Sequence, residues 1–195
     1  MPSKINFMSP LEAVSILKSG DHVHLSSVAS TPTILVNAMC EYAKANGLRD
    51  IHVHHLHTEP PAPYANPEYE GIFQHDAFFV GKNVRKQVQA GYADYIPIFL
   101  SETQNLYRSG VLPINVAMVQ VSPPDNSGYV SLGTSVDATL AAIERADTVI
   151  AVVNRDVPWA LGDALIPLSA LISPVPLVPL AGAGGVLPQV SGLTG

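Results

Sequence analysis

Residues Val116–Val121 form an apolar run, and Thr148–Val153 form a second. Runs of this length and uniformity read as strands buried on both faces, the habit of parallel sheets covered by helices on either side. Around them, short strand-like and helix-like segments alternate. Ser9-Pro10-Leu11-Glu12 is a helix start, with Ser9 as cap, Pro10 in the first turn and Glu12 closing a capping box. Leu11, Val14, Ile16 and Leu17 then follow at helical spacing up to Gly20. His22–Ser26 alternates like a strand, Thr31-Pro32 opens a helix closed by Gly47, and Ile51–His57 is the next strand. A proline-rich loop runs from Pro60 to Pro67. Strands are predicted at Asp76–Val80 and Tyr95–Phe99, and helices at Asn83–Ala90, Glu102–Ser109 and Ser135–Ala146. The expected fold is α/β, an open and mainly parallel sheet with helices on both faces and right-handed crossovers.

Composition narrows the function. The 195 residues carry 10 Lys and Arg against 16 Asp and Glu, and 47% are apolar. That is the reverse of a disordered chain, and the acidic balance is poorly suited to nucleic acid phosphates. Cys40, the sole cysteine, can form no internal disulfide, which fits a reducing compartment. The N-terminal residues lack a signal or transit pattern, so a cytoplasmic location is expected, or a mitochondrial one in a eukaryote. No apolar run reaches the length of a membrane span; Leu165–Leu187 comes nearest and is broken by four prolines. From Val157 to Gly195 the only formal charge is Asp163, and six of the 17 prolines lie there. The expected organisation is a domain over residues 1–165 and an apolar Pro/Gly-rich tail over 166–195, covered by a partner surface.

Three segments are candidates for chemistry. Ser26–Pro32 joins a strand's carboxyl end to a helix start, where small residues admit a ligand to free N–H groups; a plain turn capped by Thr31 is the alternative. Five histidines stand between His52 and His75. His52 and His54 share one strand face, and His55 and His57 the other. With no carboxylate or thiolate at ligand spacing, no metal is expected. His57, beside Thr58 and Glu59 at the strand end, is the better pocket residue. Ser122–Gly133 leaves the most apolar strand through Pro123-Pro124 and turns at Asp125-Asn126-Ser127-Gly128, forming either a hairpin on the rim or a rigid pocket wall presenting Ser122. Cys40 reads as a buried thiol. Lys82, Arg85 and Lys86 follow Gly81 and could touch an anion, but read first as solvated cations.

Longer phrases carry a resemblance. His55–Glu59, Phe79–Arg85, Ala93–Glu102, Val119–Asp125, Ser131–Gly133 and Ser135–Asp137 together resemble the N-terminal half of the acetyl-CoA hydrolase/transferase family, over roughly residues 5 to 163. Within it they look closest to 4-hydroxybutyrate and butyrate:acetate CoA-transferases. The resemblance implies two similar α/β domains meeting at the active site, and exchange of CoA between a short-chain acyl-CoA and a carboxylate such as acetate. It implies a glutamate nucleophile that passes through an acyl-glutamyl anhydride to a glutamyl-CoA thioester. Coenzyme A is then a substrate, and no cofactor is needed. The family's nucleophile and CoA-binding loops belong to its C-terminal half. None of Glu12, Glu41, Glu59, Glu68, Glu70, Glu102 or Glu144 matches that motif, so no catalytic residue is expected in this chain. Substrate-binding candidates are Thr31, His57, Glu59, Ser122, Asp125 and Gly128. Expected partners are acyl-CoA, a carboxylate, a C-terminal domain or second chain carrying the glutamate, and further copies in a homo-oligomer; nucleic acid and membrane are not expected. Pro60 after Glu59, and Trp159–Ala164, depart from the family pattern. The alternatives are a non-catalytic pairing subunit and a thioester hydrolase.

Overall fold

The computed structural model describes residues 7–171 and the backbone of 177–179. Seven parallel strands form one sheet: β1 (His22–Leu25), β2 (Ile51–His55), β3 (Phe73–Ala77), β4 (Ala93–Tyr95), β5 (Val116–Val121), β7 (Thr148–Val153) and β9 (Leu177–Pro179). The spatial order is β4-β3-β2-β1-β5-β7-β9. The chain builds outward from β1 to β4, returns to β5, and builds outward again. The direction reverses between β1 and β5, where open α/β sheets leave a crevice at the strands' carboxyl ends.

Helices α1 (Pro10–Val14) and α2 (Thr33–Ala45) cover one face, against Val23, Leu25, Ile51, Val53, Met118 and Ile150. Helices α4 (Leu100–Arg108) and α5 (Thr139–Arg145) cover the other, against Ala117, Val119, Val121, Val149 and Ala151. Alternate residues of β5 and β7 enter the two cores, so their uniformly apolar sequences follow from burial on both sides. The short α3 (Arg85–Ala90) lies near the edge strand β4. Among the described residues no helix is long and apolar enough to cross a membrane.

Several boundaries differ from the sequence expectation. The capping box forms, with Glu12 N–H donating to Ser9 Oγ and Ser9 N–H to Glu12 Oε2. However, α1 ends at Val14, because Ser15 Oγ bonds the Glu12 carbonyl, and Gly20 instead donates to Arg49. Strand β3 starts at Phe73 rather than Asp76: its register is set by pairing along β2, from Ile51↔Phe73 to His55↔Ala77. Strand β4 likewise spans Ala93–Tyr95, paired to His75–Ala77. Helix α5 starts at Thr139 because Asp137 turns to φ +25° and its carboxylate takes the Thr139 N–H. A separate two-stranded antiparallel ribbon joins β6 (Tyr129–Ser131) to β8 (Leu165–Pro167). The boundary expected at 165/166 thus falls inside β8. The backbone of Leu177–Pro179 extends the main sheet beside β7, while the rest of the expected tail, residues 172–176 and 180–195, lies outside the described residues.

Candidate functional site

The carboxyl ends of β1, β2 and β5 gather the segments singled out in the sequence. The chain leaving β1 is drawn in at Ser26, whose N–H donates to the Met118 carbonyl of β5. The hydroxyls of Ser26 and Ser27 are buried and have no hydrogen-bond partner among the described residues. Val28 then adopts φ +51°, a conformation that a β-branched side chain reaches only under strain. It is held there on both sides. Its N–H donates to the His57 carbonyl at 2.7 Å, and its own carbonyl accepts from Thr31 Oγ1 at 2.8 Å. Thr31 therefore pins the turn backward and does not cap α2, whose N-cap is Pro32. Ala29 accepts from the Gln120 amide, and Ser30 Oγ bonds the Leu132 carbonyl. The β1–α2 loop is thus strung between the turn after β2 and the strand following the β5 arm.

After β2 the chain turns through His57, Thr58 and Glu59. His57 Nε2 donates to Glu59 Oε1 at 2.6 Å; the His57 side chain is 24% exposed and that of Glu59 70%. The ring stands close against Gly81 and edge-on to Phe79. Asn83 fastens the same turn, its amide donating to Thr58 Oγ1 at 2.9 Å and to the Pro60 carbonyl at 2.8 Å. Between this turn and α3 opens a cleft of about 450 Å³. His57, Glu59, Lys82, Asn83 and Gln87 supply its polar walls, and Pro61 and Ala62 apolar ones. The Asn83 amide is spent on the turn and one Gln87 N–H on Asn66, so the Lys82 ammonium and the remaining Gln87 N–H are the donors that could meet a small anion such as a carboxylate, with Glu59 held back by His57.

Of the sequence candidates, the structure places His57 and Glu59 in this cleft and Thr31 behind its strained neighbour Val28. Ser122 and Asp125 are spent on their own loop, and Gly128 on the chain following β8. Ser122 Oγ accepts from Ser131 N–H and donates to the Pro123 carbonyl. Asp125 Oδ1 takes the N–H groups of Ser127 and Tyr129 at 2.9 and 2.7 Å. Gly128, at φ +79°, accepts from Leu168 N–H. The Ser122–Gly133 segment is a rim hairpin in its geometry. Lys82, read from sequence as a solvated cation or an anion contact, lines the cleft, and so does Gln87, which the sequence did not single out. The Gly81-Lys82-Asn83 step into α3 was the available signal, since a glycine before polar residues permits close approach of backbone and ring. Cys40 behaves as expected of a buried thiol, burial pushing it up to about 12.

Known proteins share this fold. The chain is 42% identical over 160 residues to a succinyl-CoA:acetate/propanoyl-CoA:succinate CoA transferase of Fasciola hepatica, covering 82% of this chain and 33% of that protein. It is 36% identical over 158 residues to a 4-hydroxybutyrate coenzyme A transferase of Clostridium kluyveri, covering 81% and 36%. The chain thus spans about a third of the length of the curated relatives it matches. The crystal structure of RipA from Yersinia pestis superposes with a TM-score of 0.82 at 25% identity, covering 93% of this chain and 45% of that one. A 4-hydroxybutyrate CoA-transferase structure from Porphyromonas gingivalis superposes with a TM-score of 0.71 at 31% identity, covering 89% and 39%. The family profile described as the acetyl-CoA hydrolase/transferase N-terminal domain matches residues 3–179, and the chain belongs to that family.

Proposed function

We propose that this chain forms the acyl- and carboxylate-binding side of a CoA-transferase site whose nucleophilic glutamate is supplied by a second domain or a separate chain. The observation that carries the reading is the cleft in which the His57–Glu59 pair, Lys82 and Gln87 face one another beside the strained end of β1. The names of the curated relatives support the same chemistry. In the proposed cycle the external glutamate carboxylate attacks the acyl-CoA thioester carbonyl and expels CoA thiolate, leaving an acyl-glutamyl anhydride. The thiolate then attacks the glutamyl carbonyl, releasing the acyl group as its free carboxylate and leaving glutamyl-CoA. An incoming carboxylate reverses both steps. In this chain Lys82 and the second N–H of the Gln87 amide hold the free carboxylate, Asn83 fixes the turn that carries His57, and His57, oriented by Glu59, positions the carboxylate.

The test is acetate-dependent CoA transfer from butyryl-CoA, followed with free thiol release as a readout for hydrolysis. The chain alone is expected to be inactive. Added to a separately produced C-terminal half of a relative, it is expected to restore transfer, and Lys82→Ala is expected to weaken the carboxylate KM. Turnover by the chain alone that is lost in Glu59→Gln would overturn the proposal. Thiol release without acyl transfer would make the assembled protein a hydrolase.

A further inference from the structure

The sheet face beneath α4 and α5 carries a group of side chains that the cleft does not use. His22 opens β1, His52 and His54 alternate along β2, and Asp76 stands on β3. The register sets His22 opposite His52 and His54 opposite Asp76, so all four project from the same face of three adjacent strands. His52 Nδ1 lies 2.8 Å from Asp76 Oδ2, and His54 Nδ1 lies 3.5 Å from the same oxygen. Asp76 thereby draws both Nδ1 atoms to one side. That turns the Nε2 atoms of His52 and His54 away from the carboxylate, and His54 Nε2 comes within 2.9 Å of His22 Nδ1. One ring nitrogen from each histidine lies within 4.8 Å of the other two. A tetrahedral metal with nitrogen ligands at 2.0–2.1 Å separates them by about 3.4 Å, which small ring rotations supply.

We propose that His22, His52 and His54 bind a divalent cation of the zinc class, with Asp76 as the carboxylate that orients two of the ligands. Three further observations support the assignment. First, metal-bound imidazoles characteristically donate their other N–H to a carboxylate, the role Asp76 is placed to fill. Second, the His54 side chain is fully buried, and its Nε2 faces another ring nitrogen, His22 Nδ1, at 2.9 Å. Third, the rings of His22 and His52 stack with centroids 4.5 Å apart, which holds the two side chains together on one face of the sheet. Imidazole donors select zinc, cobalt, nickel or copper over magnesium or calcium. The His52 side chain is 35% exposed, which opens a path from solvent. Three protein ligands leave a fourth position for water. Because the ligands lie on two strands and the orienting carboxylate on a third, the ion would clamp β1, β2 and β3 together on the face opposite α1 and α2.

The untagged 195-residue chain, stripped with chelator, is titrated with zinc by calorimetry and with cobalt by visible absorption. One zinc per chain, a cobalt spectrum of tetrahedral intensity and a zinc-dependent rise in Tm are expected. His22→Ala and His52→Ala, at partly exposed positions, should each weaken zinc by 100-fold or more while circular dichroism stays that of the folded chain. Asp76→Asn should weaken it on the order of 10–100-fold, and His57→Asn, in the separate cleft, should leave it unchanged. Absence of stoichiometric zinc uptake, or uptake that survives His22→Ala and His52→Ala, overturns the assignment.

Discussion

Gly81 and His57 occupy adjoining space with no room for a side chain between them: a Cβ at position 81 would stand 2.7 Å from both Cε1 and Nδ1 of the His57 ring. The ring's position, and with it the 2.6 Å contact to Glu59, depends on that glycine. Gly81→Ala should displace the ring and cost about 1–3 kcal/mol by overpacking. The checks are the folding free energy by denaturant titration and the His57 ring resonances by NMR. Unchanged resonances would show that the ring does not rest on Gly81.

Glu59 is expected to matter for ligand and little for folding. Its side chain is mostly exposed, and an exposed pair contributes at most about 1 kcal/mol. Glu59→Gln should therefore leave Tm almost unmoved while weakening carboxylate use in the reconstituted transfer assay. A large loss of Tm with unchanged KM would make the pair structural.

The rim hairpin should show the opposite pattern. Ser131 is fully buried, and its hydroxyl accepts from the N–H groups of Gly133 and Ala160 and donates to the Ala160 carbonyl. Ser122 Oγ holds the Ser131 N–H at 2.8 Å. Ser131→Ala and Ser122→Ala should each cost about 1–3 kcal/mol, the penalty for leaving buried groups unpaired. Carboxylate KM should not change. Both quantities come from thermal denaturation and steady-state assays of the same preparations.

Acid should destabilise the fold through buried histidines. Burial pushes His24 down from 6.5 to about 4, and it also lowers His55 well below the ordinary value and His75 below it. Below pH 6.5 the unfolded chain takes up protons that the folded chain refuses, so stability falls as pH falls. It is fully retained above that value. For His24 alone the shift corresponds to about 3 kcal/mol once pH is below about 4, at about 1.4 kcal/mol per unit. Folding free energies measured from pH 7.5 down to 4.5 should decline steadily, and His24→Asn should flatten part of that slope. A pH-independent profile would contradict the burial argument.

Much of this organisation was legible in the sequence. The doubly buried runs of β5 and β7 announced a parallel sheet, since only helices on both sides make such residues apolar throughout. The capping box at Ser9 and Glu12 formed because both partners lie within one helical turn. His57 and Glu59 were legible as neighbouring pocket candidates because they stand two residues apart just past the end of β2. Strand ends were harder to read: β3 and β4 begin where β2 and β3 offer pairing partners, a fact that no local pattern contains. The ribbon of β6 and β8 unites two segments far apart in the chain, which were read separately as a turn and as tail.

The cleft and the histidine face mark the division most sharply. Sequence by itself determined the strand–helix rhythm, the family phrases and the residue types at each strand end, because these depend on spacings of two to four residues. Only the tertiary structure brought Lys82 and Gln87 to His57, and set His22 and Asp76 on either side of His52 and His54. Those meetings are fixed by strand order and register, which the collective burial of two cores selects and no single segment encodes.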